Sequence, residues 1–320
     1  MREQIFTFGQ YLHHKFGVKI SKVPVSISGF TCPNIDGTVA KGGCTFCEND
    51  SFSPSLDRAR PLKGFFLNLN SPSNPHLEKQ LQQLEWQFDA LSKRLQEENK
   101  AEKFMVYFQS FTNTYAPFET LKALYEKALS FENVVGLSIG TRSDSISDET
   151  FEYLAELSKQ TEIWIEFGIQ SIYDETLERI NRGHDSANVK EAILKAKSYG
   201  LNVCGHLIFG LPGESKEMML GTVKEAYDLG IDSVKYHPLY VVKRTALANE
   251  YARGEFEPID EKLYLEVLSE ALLLKPKHVS VQRISAGIDD ESLIAPLWCK
   301  DKNTQLRAIN NALKDIGLKY

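Results

Sequence analysis

Six β-rich apolar runs, separated by helix-length segments, constrain the fold of this 320-residue chain more than any other feature. The runs span residues 23–30, 103–111, 134–140, 162–170, 202–210 and 232–242. Strands that alternate with helices form parallel sheets through right-handed crossovers. Because six units are too few for a closed eight-stranded barrel, we predict an α/β protein built on an incomplete parallel (β/α)6 barrel. Its ligands are expected at the carboxyl ends of the strands.

Helix signals between the runs support this prediction. Residues 76–99 place six apolar side chains on one face of a predicted helix: Leu77, Leu81, Leu84, Phe88, Leu91 and Leu95. Ser147 is a predicted N-cap, and Gly200 and Gly230 are predicted to end two later helices. The alternation stops near residue 245. We therefore predict an N-terminal segment at 1–22, a core at 23–245 and a C-terminal α/β extension at 246–320 that caps the barrel.

Composition excludes several classes of protein. No apolar stretch approaches the ~20 residues of a membrane span, and the N-terminus lacks the apolar core of a signal peptide, so we predict a cytoplasmic protein without membrane contact. The net charge of -6 argues against a protein that coats nucleic acid. Lys and Arg nevertheless exceed Asp and Glu within 1–63 and within 275–320, which permits a local site for a polyanion.

Three of the five cysteines lie close together in the sequence. Cys32, Cys44 and Cys47 have the spacing Cys-x11-Cys-x2-Cys in a Gly- and Pro-rich loop directly after the first predicted strand. Three thiolates on a 4Fe–4S cluster leave one iron open for a ligand. A structural zinc needs a fourth protein ligand, and none is near in the sequence. The spacing favours an iron–sulfur centre, with zinc as the alternative.

The cysteine loop resembles that of a known family. Its pattern CPN-x-DG…GGC-x-FC is similar to the YhcC-like branch of the radical S-adenosylmethionine (SAM) superfamily, which is related to the catalytic subunit of Elongator. The gap of eleven residues departs from the common Cys-x3-Cys-x2-Cys pattern of the superfamily but matches this branch. The resemblance implies a 4Fe–4S cluster, SAM on its open iron, a 5′-deoxyadenosyl radical that abstracts hydrogen from the substrate, and an electron donor such as flavodoxin or ferredoxin.

The resemblance also implies which residues contact SAM. These positions are Phe46, Gln109, Ser110, Ser138, Arg142, Glu166, Gln170, Arg182 and His206. In the family, Gln170 would reach the ribose and Arg182 would pair with the SAM carboxylate. Packing or ion pairing is the alternative role for Ser138, Arg142 and Glu166, and His206 has the alternative of an interior histidine. No catalytic side chain beyond the cluster ligands is assigned.

The substrate is implied by a narrower resemblance. In length and motifs the chain is similar to YtqA-like proteins, which implies conversion of 5-carboxymethylaminomethyl(-2-thio)uridine to 5-aminomethyl(-2-thio)uridine at the tRNA wobble position. A separate SAM-dependent methyltransferase would act downstream. Candidate substrate contacts are Tyr115, His237, Tyr240, Arg244 and Arg283, and residues 281–303 are expected to help close the site. The alternatives are a radical SAM enzyme for another RNA position or a small molecule, and a non-catalytic iron–sulfur or zinc module that binds RNA.

Overall fold

The computed structural model describes residues 2–48, 64–285, 287 and 291–320, and a curled sheet of seven parallel strands lies at its centre. The chain begins with β1 (Glu3–Gln4) and α1 (Phe8–Phe16). The strands of the central sheet are β2 (Ile20–Val25), β3 (Lys103–Phe108), β4 (Val134–Thr141), β5 (Glu162–Gln170), β6 (Asn202–Phe209), β7 (Ser233–Pro238) and β9 (Ser280–Arg283). Their order in the sheet is their order in the chain. The predicted incomplete parallel barrel is therefore confirmed.

The remaining elements cover this sheet or extend it. The larger helices are α2 (Leu77–Asn99), α3 (Phe118–Leu129), α4 (Asp148–Ser158), α6 (Ser186–Ser198), α7 (Lys216–Asp228), α9 (Glu261–Leu274) and α10 (Lys302–Asp315). The shorter elements are α5 (Asp174–Arg179), β8 (Val241–Val242), α8 (Ala246–Ala252), β10 (Leu293–Ala295) and β11 (Leu318–Lys319). Within the described ranges, no helix combines the length and the apolar character needed to cross a bilayer.

Three helix ends lie where local sequence signals predicted them. The Ser147 side chain accepts a hydrogen bond from the Thr150 amide at 3.2 Å and caps α4. Gly200 follows α6 with a φ of 71°, and Gly230 follows α7 with a φ of 82°. A residue with a side chain is strained in this left-handed conformation, so glycine suits the end of a helix.

The seventh strand differs from the prediction of six. β9 pairs in parallel with β7, with Ser233 opposite Ser280 and Lys235 opposite Arg283. We predicted a short strand here but placed it in the extension that caps the barrel. Four residues carry too little periodicity to indicate membership of the sheet, whereas the open edge of β7 supplies the hydrogen-bond partners. Of the segment 281–303, residues 286 and 288–290 lie outside the described part.

α1 closes the amino-terminal end of the barrel. Phe8 packs edge-on against Trp164 with ring centroids 4.9 Å apart, in an apolar cluster that includes Leu12 and Met105. Tyr11 donates a hydrogen bond to Glu162, the first residue of β5, at 2.7 Å. The interior of the barrel is therefore plugged at this end, and ligands are expected at the carboxyl ends of the strands.

Glutamines of α2 satisfy the other open edge of the sheet. The Gln87 amide exchanges two hydrogen bonds with the backbone of Ser26, at 2.9 and 2.8 Å. The Ser28 amide donates to Gln83 at 2.9 Å, and Gln80 donates to the Ser28 carbonyl at 2.6 Å. These side chains act in place of a neighbouring strand. The predicted apolar stripe is present, with Leu84 and Phe88 buried, but the same helix also buries Gln80 and Gln87.

Candidate cofactor and active site

The cysteine loop follows β2 and lies over the carboxyl ends of the strands. It is held by the segment after α5, where the Thr45 amide donates to the Ile180 carbonyl at 3.0 Å and Asn181 donates to the Gly43 carbonyl at 2.7 Å. Phe46 is 9% exposed and packs in an apolar cluster with Leu177. These contacts fix the loop on the barrel rather than leaving it in solvent.

Two of the three thiols of this loop accept hydrogen bonds from neighbouring side chains. Thr112 donates to Cys32 Sγ at 3.0 Å, and Asn34 donates to Cys44 Sγ at 3.2 Å. Burial raises the pKa of Cys32 and of Cys47, and the charges of the neighbouring thiolates raise both further. All five cysteines lie in the described part of the chain, and none is in a disulfide. Buried, clustered thiols with donors aimed at sulfur are suited to bind a metal centre, which displaces their protons.

Arg182 and Gln170 lie beside the cysteine loop with buried atoms that lack partners. Arg182 is 6% exposed and donates to the Gly168 carbonyl at 2.7 Å and to Cys44 Sγ at 3.7 Å. Its Nε and the Oε1 of Gln170 have no hydrogen-bond partner. A buried polar atom without a partner costs about 1–3 kcal/mol. A polar ligand at this position would satisfy both atoms.

Gly168 keeps this space open. A Cβ on Gly168 would lie 2.8 Å from Gln170 Nε2 and 2.9 Å from the Arg182 guanidinium. The register of β5 against β6 shifts between Gly168 and Gln170, and Gln170 has a φ of 65°. The irregular strand end thus turns Gln170 toward Arg182, which regular alternation along the strand does not predict.

Arg142 forms the second positive group of the site. It makes a bidentate pair with Asp144 at 2.8 and 2.6 Å and donates to the Arg182 carbonyl at 2.8 Å. Burial opposes the charge of Asp144, but the hydrogen bonds from Arg142 hold the pKa of that carboxyl below its usual range. The remaining nitrogen of Arg142, Nη1, is buried without a partner. Arg142 therefore positions Arg182 and keeps one donor available.

Below Arg182 and Gln170, the barrel interior contains a buried ionic network around Glu166. The carboxylate is fully buried and accepts from Ser138 at 2.5 Å, from His206 at 2.7 Å, and from the ammonium groups of Lys22 and Lys235. Burial opposes the charge of Glu166, but the two lysines hold its pKa well below the usual range. Ser138, Glu166 and His206 thus satisfy one another within the barrel.

Burial also lowers the pKa of the basic members of this network. The pKa of His206 falls to about 4 and that of Lys235 to about 8. Glu166, Cys204 and His206 have potential ligand atoms within 4.8 Å of one another. Since the ammonium groups of two lysines already bind Glu166, these three residues do not form a cation site.

Two functional candidates escaped the sequence analysis. Lys22 and Lys235 were not selected, although Lys235 alternates with His237 in a predicted strand and thus shares its face. Lys22 lies one residue outside the predicted core boundary. Gln282 accepts from Lys22 at 2.6 Å, across 260 residues of sequence. Only the sheet brings these three together.

The structure places the other predicted residues as follows. Gln109 and Ser110 follow β3, where the Gln109 amide donates to the Val25 carbonyl at 3.2 Å and Ser110 is buried. Tyr115 donates to Thr38 at 2.9 Å and so supports the cysteine loop. Arg244, with its side chain 69% exposed, pairs with Glu48 at 3.0 Å beside that loop.

Of the three remaining predicted contacts, Arg283 lies opposite Lys235 in the sheet, and His237 and Tyr240 have different surroundings. His237 lies 6.0 Å from His206 between ring centroids, inside the barrel. Tyr240, another candidate substrate contact, is 5% exposed and packs with Val242 and Cys299. Its ring is therefore part of a small apolar cluster beside β8.

Comparisons with known proteins show the family of this chain. The family model of the radical SAM superfamily matches residues 37–226, and that of the Radical_SAM C-terminal domain matches residues 231–315. The chain is 37% identical over 311 residues to the uncharacterized protein YtqA of Bacillus subtilis, covering 97% of this chain and 90% of that protein. It is 34% identical over 319 residues to protein YhcC of Escherichia coli, covering 99% and 95%.

Two further likenesses concern tRNA enzymes and the fold. A tRNA uridine(34) acetyltransferase of Methanocaldococcus infernus is 37% identical over 157 residues, covering 48% of this chain and 29% of that protein. The solved structure of the Elp3 protein of Methanocaldococcus infernus superposes with a TM-score of 0.61 at 22% identity, covering 92% of this chain and 63% of that one. The second likeness shows a shared fold.

Proposed function

Because the chain belongs to the radical SAM superfamily, we propose that Cys32, Cys44 and Cys47 hold its 4Fe–4S cluster and that Arg182 and Gln170 contact SAM. Membership makes the chain an enzyme, and the cluster and SAM are the cofactors of its family. The observation that carries the assignment of residues is the set of three thiols beside an arginine with a buried, unpartnered Nε. Membership of an enzyme family argues against the alternative of a non-catalytic iron–sulfur or zinc module that binds RNA.

The donor set of the loop fits an iron–sulfur cluster. Cys32, Cys44 and Cys47 supply three thiolates, the number that holds a 4Fe–4S cluster with one iron left open for SAM. A structural zinc ion is bound by four protein ligands.

The side chains around the thiols would bind and orient the cofactors. A guanidinium offers a bidentate fork to a carboxylate, which suits Arg182 to the carboxylate of SAM, with Arg142 holding Arg182 in place. When bound, the cluster and SAM supply one electron and a species that abstracts hydrogen from an unactivated carbon. The protein's task is to position the substrate and to exclude water, and the plugged amino-terminal end of the barrel limits access to one side.

We propose tRNA as the substrate, with the carboxymethylaminomethyl group of the wobble uridine converted to an aminomethyl group. Support comes from the tRNA uridine(34) acetyltransferase of Methanocaldococcus infernus, whose match covers 48% of this chain at 37% identity. Removal of the carboxymethyl group would break the bond between the amine nitrogen and the methylene beside the carboxylate. Abstraction of one methylene hydrogen, loss of one further electron and addition of water would release these two carbons as glyoxylate. This two-electron oxidation is balanced by the reductive cleavage of one SAM to 5′-deoxyadenosine and methionine. A flavodoxin or ferredoxin would supply the electron, and a SAM-dependent methyltransferase would use the product.

The test measures 5′-deoxyadenosine from anaerobically reconstituted protein with SAM and dithionite, with and without tRNA that carries the carboxymethylaminomethyl group. We expect stimulation by this tRNA and loss of the group from the wobble nucleoside. Slow SAM cleavage at a rate that the tRNA does not change would reject this tRNA as the substrate. A small molecule or another RNA position would then be the target.

Matched cysteine variants test the assignment of the cluster ligands. Cys47→Ala should lose iron and SAM cleavage, because the thiol lies in the three-cysteine loop. Cys299→Ala should retain both, because Cys299 is buried in a separate apolar cluster. Iron content and activity preserved in Cys47→Ala would reject the assignment.

A further inference from the structure

The interior of the barrel carries an excess of basic groups below the candidate SAM site. The side chains that form this basic layer are Lys22, Glu166, His206, Lys235, His237 and Arg283. Among the described residues, Glu166 is the one acid of the layer, and two lysines bind it. Burial keeps His206 neutral at pH 7, with a pKa of about 4, and lowers the pKa of His237 well below its usual range. Three cations therefore face one anion.

Arg283 is the cation without a counterion. No acid of the described residues pairs with it, whereas Lys22 and Lys235 both pair with Glu166. Burial is the main cause of the low pKa values of His237 and Lys235, and the positive charge of Arg283 lowers both further. Arg283 also lies opposite Lys235 in the parallel register of β9 and β7, so the two side chains leave the sheet on the same face.

A second donor in this space also lacks an acceptor. Gln282 lies in the short irregularity of β9, where Val281 and Arg283 pair with consecutive residues of β7. Its Oε1 accepts from Lys22 at 2.6 Å, but its Nε2 is buried without a partner. Buried donors of this kind are normally satisfied. An anion with two oxygens could accept from both Gln282 and Arg283.

Part of the layer is accessible to solvent. The side chains of Lys22 and His206 are 19% and 20% exposed, although both contact the fully buried Glu166. Phe8 and Trp164, at the amino-terminal end of the barrel, are 6% and 1% exposed. Ligands of such a barrel bind at the carboxyl ends of its strands, so a substrate group would approach the layer from that end.

We propose that the basic layer binds a carboxylate of the substrate, gripped by Arg283 and Gln282. This inference rests on the proposed function, because the group removed there is an N-substituted glycine that ends in a carboxylate. A guanidinium binds a carboxylate through two parallel charge-assisted hydrogen bonds. Holding this end of the group positions the adjacent C–H bond near the cofactor site.

The test measures equilibrium binding of two tRNAs under anaerobic conditions with SAM and without reductant, so that no turnover occurs. One tRNA carries the carboxymethylaminomethyl group, and the other carries its uncharged methyl ester. We expect the wild-type protein to bind the acid about 10- to 100-fold more tightly than the ester, the range of a charge-assisted bidentate contact.

Variants distinguish a specific contact of Arg283 with the carboxylate from a general effect of the protein's charge. Arg283→Gln should abolish the preference, and Arg283→Lys should retain part of it, since the charge stays but the fork is lost. Arg94→Gln makes the same change in charge on an exposed residue of α2 and should keep the preference. Equal iron content and far-ultraviolet circular dichroism establish that each variant is folded and loaded.

The outcomes distinguish the two proposals. A preference that is absent in the wild type, or that persists in Arg283→Gln, overturns the carboxylate site even if the wobble nucleoside is converted. A preference that depends on Arg283, without conversion of the nucleoside in the presence of reductant, supports the carboxylate site and rejects the proposed reaction.

Discussion

Replacing Glu166 with Gln tests whether this carboxylate compensates the charges of Lys22 and Lys235 inside the barrel. The carboxylate has no exposed surface, and both of its oxygens accept from charged or polar groups. Glu166→Gln keeps the shape of the side chain but removes the negative charge from between Lys22 and Lys235. Breaking a buried ion pair on one side costs about 3–5 kcal/mol, because the remaining charge is left uncompensated.

The pH dependence of this loss follows from Lys235. Burial lowers its pKa in the folded protein to about 8, below the ~10.4 expected in the unfolded chain. The unfolded state therefore binds more protons between these values, and Lys235 makes stability rise with pH in that window. At pH 9 Lys235 is largely neutral in the folded state, so the loss of Glu166 should cost less there than at pH 7.

Urea unfolding of the wild type and Glu166→Gln at pH 7 and pH 9 measures both effects. Glu98→Gln is the control, because Glu98 forms an exposed pair with Arg94 on α2, and such pairs contribute less than about 1 kcal/mol. The double variant Glu166→Gln/Lys235→Met should recover part of the stability, since it removes one of the uncompensated charges. Free energies of unfolding for Glu166→Gln within 1 kcal/mol of the wild type at pH 7 would refute the reasoning.

Three further predictions concern the candidate site. Arg182→Ala should weaken SAM binding about 10- to 100-fold in equilibrium dialysis while the visible absorbance of the cluster is unchanged; unaltered affinity would contradict the carboxylate contact. Gly168→Ala should also weaken SAM binding, because its Cβ would lie 2.8 Å from Gln170 Nε2; Gly9→Ala, at an open helix position, should not. His206 should make the protein less stable as pH falls from about 6.5 toward 4, because burial lowers its folded pKa to about 4 and the unfolded state then binds more protons. His206→Asn should flatten this part of the urea-unfolding profile, and an unchanged slope would count against the assignment.

The glutamines of α2 show how a correct helix prediction can miss the role of a helix. The apolar positions Leu84 and Phe88 were sufficient to predict the helix and its buried face. Gln80 and Gln87 are also buried, because the backbone of Ser26 and Ser28, directly after β2, presents groups that need partners. Which polar residues of an amphipathic helix enter the core depends on the surface against which the helix packs.

Local patterns determined much of this protein. The alternation of strands and helices predicted the parallel half-barrel, because periodicities of two and 3.6 residues are properties of short segments. The spacing of Cys32, Cys44 and Cys47 predicted a metal loop, because its ligands lie within one stretch of chain. Ser147 and Gly200 predicted helix ends for the same reason.

The tertiary structure alone decided which distant charges meet. Lys22 and Glu166 are separated by 144 residues and Lys22 and Gln282 by 260, yet all three lie in one layer of the barrel. Their meeting depends on the strand order, on the register of the sheet and on the irregularity of β9. A sequence shows that a strand contains a lysine, but the free energy of burying that lysine depends on whether a carboxylate from another strand lies opposite.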